Sequence, residues 1–240
     1  RKEHFSKNTI INFAFIPAIG KLTNSNLNSL IKNGAIAFKI FTIAAPANRK
    51  SEFDGLCFTK DNKILDALMH AKKSNLTTIF HAEDQNMLDY FKKLESNYEK
   101  SNPEVHNATR PAIAEALAIS KILNLNSIAK TKIHIAHVTS KISLDIISYF
   151  QKKGQDISAE TCPHYLFKTE KDVIKVGPFG KINPPIRTKV DQDELWKGFK
   201  NNSLSIIASD HASFSLNEKL KGRKDFSKAP PGSPGAELML

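Results

Sequence analysis

The stretch AIAFKIF, residues 35–41, is apolar at every position except Lys39. An apolar run of this length is typical of a strand buried on both faces, as in a parallel sheet covered by helices. Similar runs predict five more strands, at residues 10–16, 77–82, 132–138, 156–160 and 204–209. The intervening segments have helical spacing and predict helices at residues 25–32, 62–74, 86–99, 111–123, 140–153 and 192–200. This alternation predicts an α/β fold built on a parallel sheet.

One segment breaks the alternation. Residues 213–235 begin with mixed charge and end in APPGSPG, residues 229–235, which can form neither a helix nor a central strand. We therefore expect a long loop there, and long loops within compact domains usually carry function. No repeat or low-complexity linker divides the chain, so residues 1–240 are predicted to form one domain.

The composition excludes several classes of protein. With 40% hydrophobic and 25% charged residues, the 240-residue chain has the composition of a folded globular protein. Its net charge of +11 could attract nucleic acid or anionic lipid, but the basic residues are scattered and lack interleaved aromatic residues. The chain is also rich in Lys, Asn and Ile, whose codons are AT-rich, so a genomic bias explains the charge at least as well. We predict no nucleic-acid partner.

Cysteine usage and the chain ends bear on location and completeness. Cys57 and Cys162 are too few for a disulfide framework and have no CxxC spacing, which favours a reducing compartment. No apolar run approaches the ~20 residues of a membrane span, and the N-terminus lacks a signal-peptide core. We expect a cytoplasmic protein without a membrane partner. Because the sequence starts at Arg1 and stops within a predicted element, we also expect a piece of a longer protein.

Polar residues suited to metal binding stand where the predicted strands end. Lys39, His81 and His137 lie in or at the end of three apolar runs, and Asp210 follows a fourth. The carboxyl ends of barrel strands meet at one face, where active sites are built. A lone strand histidine is more often a hydrogen-bonded core residue, but four such residues at four strand ends seldom arise from packing alone.

Lys39 has a chemistry that this placement favours. Burial lowers the pKa of a lysine, and the neutral amine can capture carbon dioxide as a carbamate, whose two oxygens suit a bridge between two metal ions. His81, His137 and Asp210 would then supply imidazole and carboxylate ligands. That mixed nitrogen and oxygen set suits zinc, with manganese or cobalt as substitutes.

Six further strings occur in order along nearly the whole chain: HAED at 81–84, TRPAIAEA at 109–116, HIAHVTS at 134–140, ETCPHYL at 160–166, KINPPIR at 181–187 and SDHA at 209–212. Any one string is weak, but the ordered set is specific. Together they resemble the cyclic amidohydrolases, the group of dihydroorotase, allantoinase and hydantoinase or dihydropyrimidinase.

The resemblance implies a (β/α)8 TIM barrel, present here as about strands 3 to 8, with two divalent metal ions. It implies that Lys39 is the carboxylated bridging lysine, that His81 and His137 bind one metal, and that Asp210 binds the other and acts as general base. His134 lies three positions before His137, so the two should point to opposite faces of a strand, and we expect His134 to be structural.

Other residues are expected near the substrate or near the metal ligands. The candidates for substrate binding are Asn183, Pro231 and Gly232. The expected neighbours of the metal ligands are Glu83, Arg110, His164 and His211, which either orient the ligands or are ordinary hydrogen-bonded polar groups. The expected partners are a small cyclic amide or ureide substrate and further copies of the chain, in a dimer or tetramer.

Two strings favour dihydroorotase, which interconverts dihydroorotate and N-carbamoyl-aspartate in pyrimidine biosynthesis. They are NPPIR at 183–187 and the loop APPGSPGAE at 229–237. Two departures keep allantoinase and hydantoinase or dihydropyrimidinase as alternatives. Phe214 stands where many dihydroorotases have a histidine, and Lys39, where some dihydroorotases have an aspartate, is closer to the allantoinase-like branch.

A larger departure concerns the family's first strand. Its His-x-His metal-binding pair is found nowhere among the eight histidines, and six predicted strands fall short of eight, so we expect the chain as given to be inactive alone. A second alternative is a non-catalytic barrel homologue. That alternative predicts loss of the metal ligands, yet Lys39, His81, His137 and Asp210 all remain.

Overall fold

In a computed structural model, which describes residues 2–20, 24–47 and 49–239, five strands form one parallel sheet in sequential order. Each strand therefore reaches its neighbour through a crossover, and helices fill most of these connections. This arrangement is a partial α/β barrel, which confirms the predicted fold class. The strands are β1 (Ala37–Phe41), β2 (Thr77–His81), β3 (Ile133–Ile135), β4 (Ile157–Thr161) and β5 (Ile206–Ile207).

Within the residues that the structure describes, all six predicted helices are present, together with five shorter helices that were not predicted. The helices are α1 (Lys2–Asn8), α2 (Asn24–Lys32), α3 (Asp61–Lys72), α4 (Gln85–Lys92), α5 (Glu104–Thr109), α6 (Ala112–Ala129), α7 (Lys141–Lys152), α8 (Pro163–Phe167), α9 (Glu170–Val176), α10 (Lys189–Lys200) and α11 (Leu216–Leu220). Short 3-10 helices occur at Lys93–Asn97, Gly177–Gly180, Lys221–Arg223, Phe226–Lys228 and Ala236–Met239. The five missed helices have only five to seven residues, too few for a helical period to show.

The two faces of the sheet differ in chemistry. Alternate strand residues are fully buried in the core shared with the helices, among them Phe38, Ile40, Phe80 and Ala159. The residues between them form the opposite face, the inside of the barrel. One row of this inner face is in register across four strands and consists of Lys39, Ile79, His134 and Ser158.

Helix α6 is the central element of the outer layer. It packs against α3 and α7, and its Ile119, Ile122 and Leu123 are fully buried, each contributing about 1.5–3 kcal/mol of hydrophobic free energy. Within the described residues, the helical stretch Glu104–Ala129 is long and apolar enough to cross a membrane by length and composition alone. Half of the 18-residue window that meets this criterion is buried inside the protein, as in a helix that packs on a core.

The predicted first strand, residues 10–16, is wrong. Among the described residues, that segment makes one isolated bridge, from Phe15 to Ala35, and a second bridge joins Ala18 to Lys39 just after it. Its Ile10 and Ile11 are exposed. A continuous ladder does not form because Pro17 has no N–H to donate, although its carbonyl accepts from the Lys39 N–H at 2.9 Å.

The expectation of a long loop at residues 213–235 is partly corrected. Helix α11 begins there with Ser215 and Glu218, whose side chains each bond the other's backbone N–H in a capping box. This local capping stabilises a helix too short for periodicity to reveal. The remainder, residues 229–235, has no helix or named strand, as its prolines and glycines predict.

Candidate active site

Two predicted site residues have an unusual backbone conformation. His137 and Asp210 both adopt a φ of 42°, in the left-handed region that non-glycine residues seldom enter. Histidine and aspartate are among the types that tolerate it best. His137 lies two residues after β3 and Asp210 lies three residues after β5, both at the carboxyl end of the sheet. Backbone strain of this kind clusters at functional sites because surrounding structure must hold it.

His81 and His137 face each other at this end of the sheet. His81 Nδ1 lies 3.0 Å from His137 Nε2, and each residue is only 4% exposed. Burial lowers the pKa of both imidazoles, so both rings are neutral near pH 7. The neutral imidazole is the form that binds a metal ion.

A carboxylate and a guanidinium hold the His81 ring from behind. His81 Nε2 donates to Glu83 Oε2 at 2.8 Å, and the Arg110 guanidinium donates to both Glu83 oxygens, with Nε at 3.0 Å from Oε1. Burial alone would raise the pKa of Glu83, but Arg110 and His81 hold it well below its usual range. Because Glu83 accepts from Nε2, the His81 lone pair is left on Nδ1, facing His137. Glu83 and Arg110 therefore orient a candidate ligand, as one of the two sequence interpretations proposed.

Lys39, Asp210 and Glu160 form a second group of charges. Burial lowers the pKa of Lys39 to about 8, although Asp210 and Glu160 act in the opposite direction. The protein atoms around the Asp210 carboxyl raise its pKa to about 6; Lys39 lowers it and Glu160 raises it further. Lys39 Nζ also lies 5.1 Å from the centre of the Phe41 ring. The lowered pKa matches the behaviour that the sequence argument expected of a buried Lys39.

His134 lies on the barrel-facing side, contrary to the expectation that it points away from the site. Its register with Ile79 places it on the same face as His81, and its ring contacts Ser158 Oγ at 2.8 Å and Glu160 Oε2 at 3.0 Å. The alternation of side chains between the two faces does not extend from His134 to His137, because β3 ends before His137 and the left-handed φ of His137 turns the chain.

Glu160 is the inward-facing charge that sequence reasoning left without a role. Its side chain is 18% exposed and contacts the buried His134. Strand β4 carried a usable signal, because Ser158 and Glu160 alternate with the buried Ile157, Ala159 and Thr161. A period-2 reading of that strand assigns both polar residues to the inside of the barrel.

The predicted substrate loop lies against the strand end that carries Asp210. The Ala212 N–H donates to Ser233 O at 3.0 Å, and the Ala236 N–H donates to His211 Nδ1 at 3.2 Å. This close approach requires glycine, since a Cβ on Gly235 would lie 2.4 Å from the Ser209 carbonyl oxygen. His211 therefore accepts a hydrogen bond from the loop, which brings the loop close to Asp210, the preceding residue in the chain.

The same loop is tied to the segment that contains Asn183. The Gly232 N–H and the Lys219 ammonium both donate to Lys181 O, at 3.0 and 2.9 Å. Lys181 Nζ donates in turn to the carbonyls of Phe226 and Ser227 at 2.9 and 2.8 Å. The hydrogen bond from the Gly232 N–H to Lys181 O therefore joins the two segments that carry the predicted substrate-binding residues. These residues, Asn183, Pro231 and Gly232, each lie within two positions of that bond along the chain.

His164 differs from the other neighbours that were proposed. Both of its ring nitrogens are buried without a hydrogen-bond partner in the described part of the chain, and burial lowers its pKa to about 4. The ring packs edge-on against Tyr165. Within those residues, His164 orients no candidate ligand through a hydrogen bond. Cys162 is buried, as expected of a core residue.

The donor set fits part of a metal centre. His81 Nδ1 and His137 Nε2 converge, and His137 Nδ1 is a buried nitrogen without a partner in the described chain. Among residues 2–20, 24–47 and 49–239, no three His, Cys, Asp or Glu side chains converge closely enough to hold a metal ion alone. Zinc requires three or four ligands, so the two imidazoles are an incomplete set.

Comparison with known proteins identifies the family. No family model matches the chain. A D-hydantoinase from Ralstonia pickettii is 32% identical over 211 residues, 86% of this chain and 44% of the relative. A dihydroorotase from Clostridioides difficile strain 630 is 32% identical over 187 residues, 78% of this chain and 43% of the relative. An allantoinase from Rubrobacter xylanophilus is 26% identical over 214 residues, 89% of this chain and 45% of the relative.

A solved structure agrees with these relatives. The dihydropyrimidinase from Brevibacillus agri superposes with a TM-score of 0.84 at 28% identity, covering 97% of this chain and 51% of that one. The chain belongs to the cyclic amidohydrolase family. This cyclic amidohydrolase chain spans about half the length of the curated relatives it matches. Its relatives carry three different names, so the comparisons fix the family and leave the substrate open.

Proposed function

We propose that this chain provides the strand ends of a metal-dependent hydrolase that opens and closes cyclic amides. The observation that carries the proposal is the facing pair of neutral imidazoles, His81 and His137, with Glu83 fixing the His81 tautomer. A hydrogen-bonded carboxylate behind a histidine is the usual arrangement of a metal ligand. Relatives named hydantoinase, dihydroorotase and allantoinase support the same reaction class.

Lys39, His81, His137 and Asp210 would hold two divalent ions, most simply zinc, with Lys39 in its carbamate form. The ions, when bound, would activate a water molecule and polarise the ring amide carbonyl. Lys39 is suited to carboxylation because burial lowers its pKa to about 8, so a substantial fraction is the neutral amine at mildly alkaline pH.

Asp210 would transfer the proton. Its pKa, raised to about 6, leaves it ionised at neutral pH but able to accept a proton from the attacking water and to deliver it to the departing ring nitrogen. The buried Asn183 side-chain oxygen has no partner in the described residues, so it can accept from a ring N–H of a substrate. The loop carrying Pro231 and Gly232 would offer backbone groups to the same ring.

Dihydroorotate is our first choice of substrate, and hydantoins are the second. The NPPIR string and the loop at 229–237 support dihydroorotase, with N-carbamoyl-aspartate as the ring-opened product in pyrimidine biosynthesis. A D-hydantoinase matching 86% of this chain and the dihydropyrimidinase structure support a hydantoinase-type substrate. We also propose that the protein is cytoplasmic and forms a homo-oligomer.

The test is a substrate comparison with the full-length, metal-loaded protein. Dihydroorotate, hydantoin, dihydrouracil and allantoin are assayed side by side, with His81→Asn and His137→Asn as variants that lack one ligand each. We expect turnover of dihydroorotate and a loss of at least ~100-fold in both variants. Turnover of allantoin alone would overturn the substrate choice, and equal activity in the variants would overturn the proposed metal ligands.

A further inference from the structure

Arg187 is a buried cation for which the proposed chemistry has no use. The residue is only 6% exposed. Its Nε donates to Thr139 Oγ1 at 3.1 Å, and its Nη1 donates to the Arg110 carbonyl and to Asn107 Oδ1. A guanidinium is seldom buried with acceptors on separate chain segments unless it holds those segments together.

One branch from Arg187 leads to His137. Thr139, two residues after His137, accepts from Arg187 Nε, while its own hydroxyl and N–H both donate to the buried Glu115 carboxylate of α6. These bonds fix the backbone that follows the left-handed His137. A residue in that conformation persists only when its surroundings determine it.

The other branch leads to His81. Arg187 Nη1 bonds the carbonyl of Arg110, the residue whose side chain holds Glu83, and Glu83 accepts from His81 Nε2. Arg187 therefore connects the hydrogen bonds that support His81, through Arg110 and Glu83, with those that support the backbone after His137, through Thr139. His81 ends β2 and His137 lies two residues beyond β3. The sheet ladder aligns the backbone as far as the Ala136 N–H bond to Phe80 O at 3.0 Å, and the contacts through Arg187 act on the side chains and residues that follow it.

We propose that Arg187 is a positioning residue that sets the spacing and orientation of His81 and His137 by joining the Arg110–Glu83 and Thr139–Glu115 contacts. The inference deepens the proposed function, since the consequence of correct spacing is metal binding by the two imidazoles. Lysine cannot replace Arg187, because a single ammonium does not present donors along the separated directions of a planar guanidinium.

The first measurement does not depend on metal. In metal-free full-length protein with ¹⁵N-labelled histidine, the His81 and His137 ring signals are assigned through His81→Asn and His137→Asn. We expect wild type to show His81 fixed as the Nε2–H tautomer, and Arg187→Met and Arg187→Lys to show averaged tautomers. Arg49→Met is the matched control, because Arg49 forms an exposed ion pair with Glu52 and should leave both signals unchanged.

The second measurement is Co²⁺ binding followed by visible absorption. We expect both Arg187 variants to bind Co²⁺ ~10–100-fold more weakly, with an altered spectrum. If wild type binds no Co²⁺ while the Arg187 variants still change the imidazole signals, the proposed function fails and the role of Arg187 stands. Unchanged imidazole signals and an unchanged Co²⁺ dissociation constant in Arg187→Met would overturn the inference.

A milder pair of variants covers the case in which Arg187→Met does not fold. Thr139→Val removes the hydroxyl that links Arg187 to Glu115, whereas Thr139→Ser keeps it. We expect Thr139→Val to change the His137 signals more than those of His81, and Thr139→Ser to match wild type. Equal His137 signals in the valine and serine variants would contradict the proposed connection.

Discussion

The histidine side of the site and its carboxylate side are built in different ways. At the ends of β2 and β3, His81 and His137 are buried, and side chains of Glu83 and Arg110 support them. At the end of β5, Asp210 follows a two-residue strand of exposed isoleucines, and the neighbouring contacts are made by the backbone of residues 229–236. The histidine side therefore depends on side-chain charge, and the carboxylate side depends on close backbone packing.

Removal of Glu83 should break the histidine side with the largest effect. Glu83→Ala leaves the Arg110 guanidinium and the His81 ring without their buried partner, so we expect a loss of about 3–5 kcal/mol in the free energy of unfolding. Urea unfolding measures this loss. Glu52→Ala removes an exposed partner of Arg49 and should leave the urea midpoint nearly unchanged. Similar losses in the two variants would show that the Glu83 contacts are weak.

A methyl group on Gly235 should break the carboxylate side. In Gly235→Ala the new Cβ would lie 2.4 Å from Ser209 O, so the loop must move away, at a cost of about 1–3 kcal/mol. Limited proteolysis should cut residues 229–236 faster than in wild type. Gly154→Ala is the control for backbone strain alone, because Gly154 has a φ of +85° but no atom near its Cβ position. Equal protection of the loop in both variants would contradict the close packing.

The smallest expected effect is a change in stability at alkaline pH, caused by two buried lysines that hold the loop on the carboxylate side. Burial lowers the pKa of both Lys181 and Lys219 to about 8; for Lys181, Arg110 and Lys219 lower it further, and Asp225 and Glu95 act oppositely. The unfolded lysines keep their protons to about pH 10.5, so the unfolded state binds more protons between about pH 8 and 10.5. These two lysines therefore contribute stability that rises with pH across this window.

Lys219→Met removes one of these titrating groups and should flatten that rise by an amount on the order of 1 kcal/mol. Urea midpoints at several pH values between 7.5 and 10 measure it. Lys221→Met, a change at an exposed neighbouring residue, is the matched control and should keep the wild-type slope. A slope in Lys219→Met identical to that of the control would indicate that Lys219 titrates at its ordinary pKa in the folded protein.

The sequence predicts all five strands of the described sheet, because each lies in or beside a short run rich in apolar residues, such as AIAFKIF at residues 35–41. It also predicted that His81 and His137 meet, since both stand at strand ends. Residues 10–16 look like a strand in composition but lack a continuous ladder, which only the three-dimensional neighbours of Phe15 and Pro17 reveal.

The missed parts of the site depend on contacts distant in sequence. Arg187 reaches Thr139 across 48 positions, and no local spacing indicates that bond. His134 was assigned to the wrong face because alternation was extended past the end of β3. Glu160 could have been found, because its strand alternates regularly. Apart from the five short helices and the first strand, what the sequence left undetermined are the long-range side-chain contacts.

The left-handed conformation at positions 137 and 210 restricts which amino acids can evolve there. Asn, Asp and His accept that backbone readily, whereas Cys and Glu, which also bind divalent ions, would add roughly 1–2 kcal/mol of conformational cost. Positions 39 and 81 lie within regular strands, where the backbone conformation does not restrict the residue type in this way. For the proposed metal site, exchange of donor atoms should therefore be tolerated more readily at Lys39 and His81 than at the two turn positions.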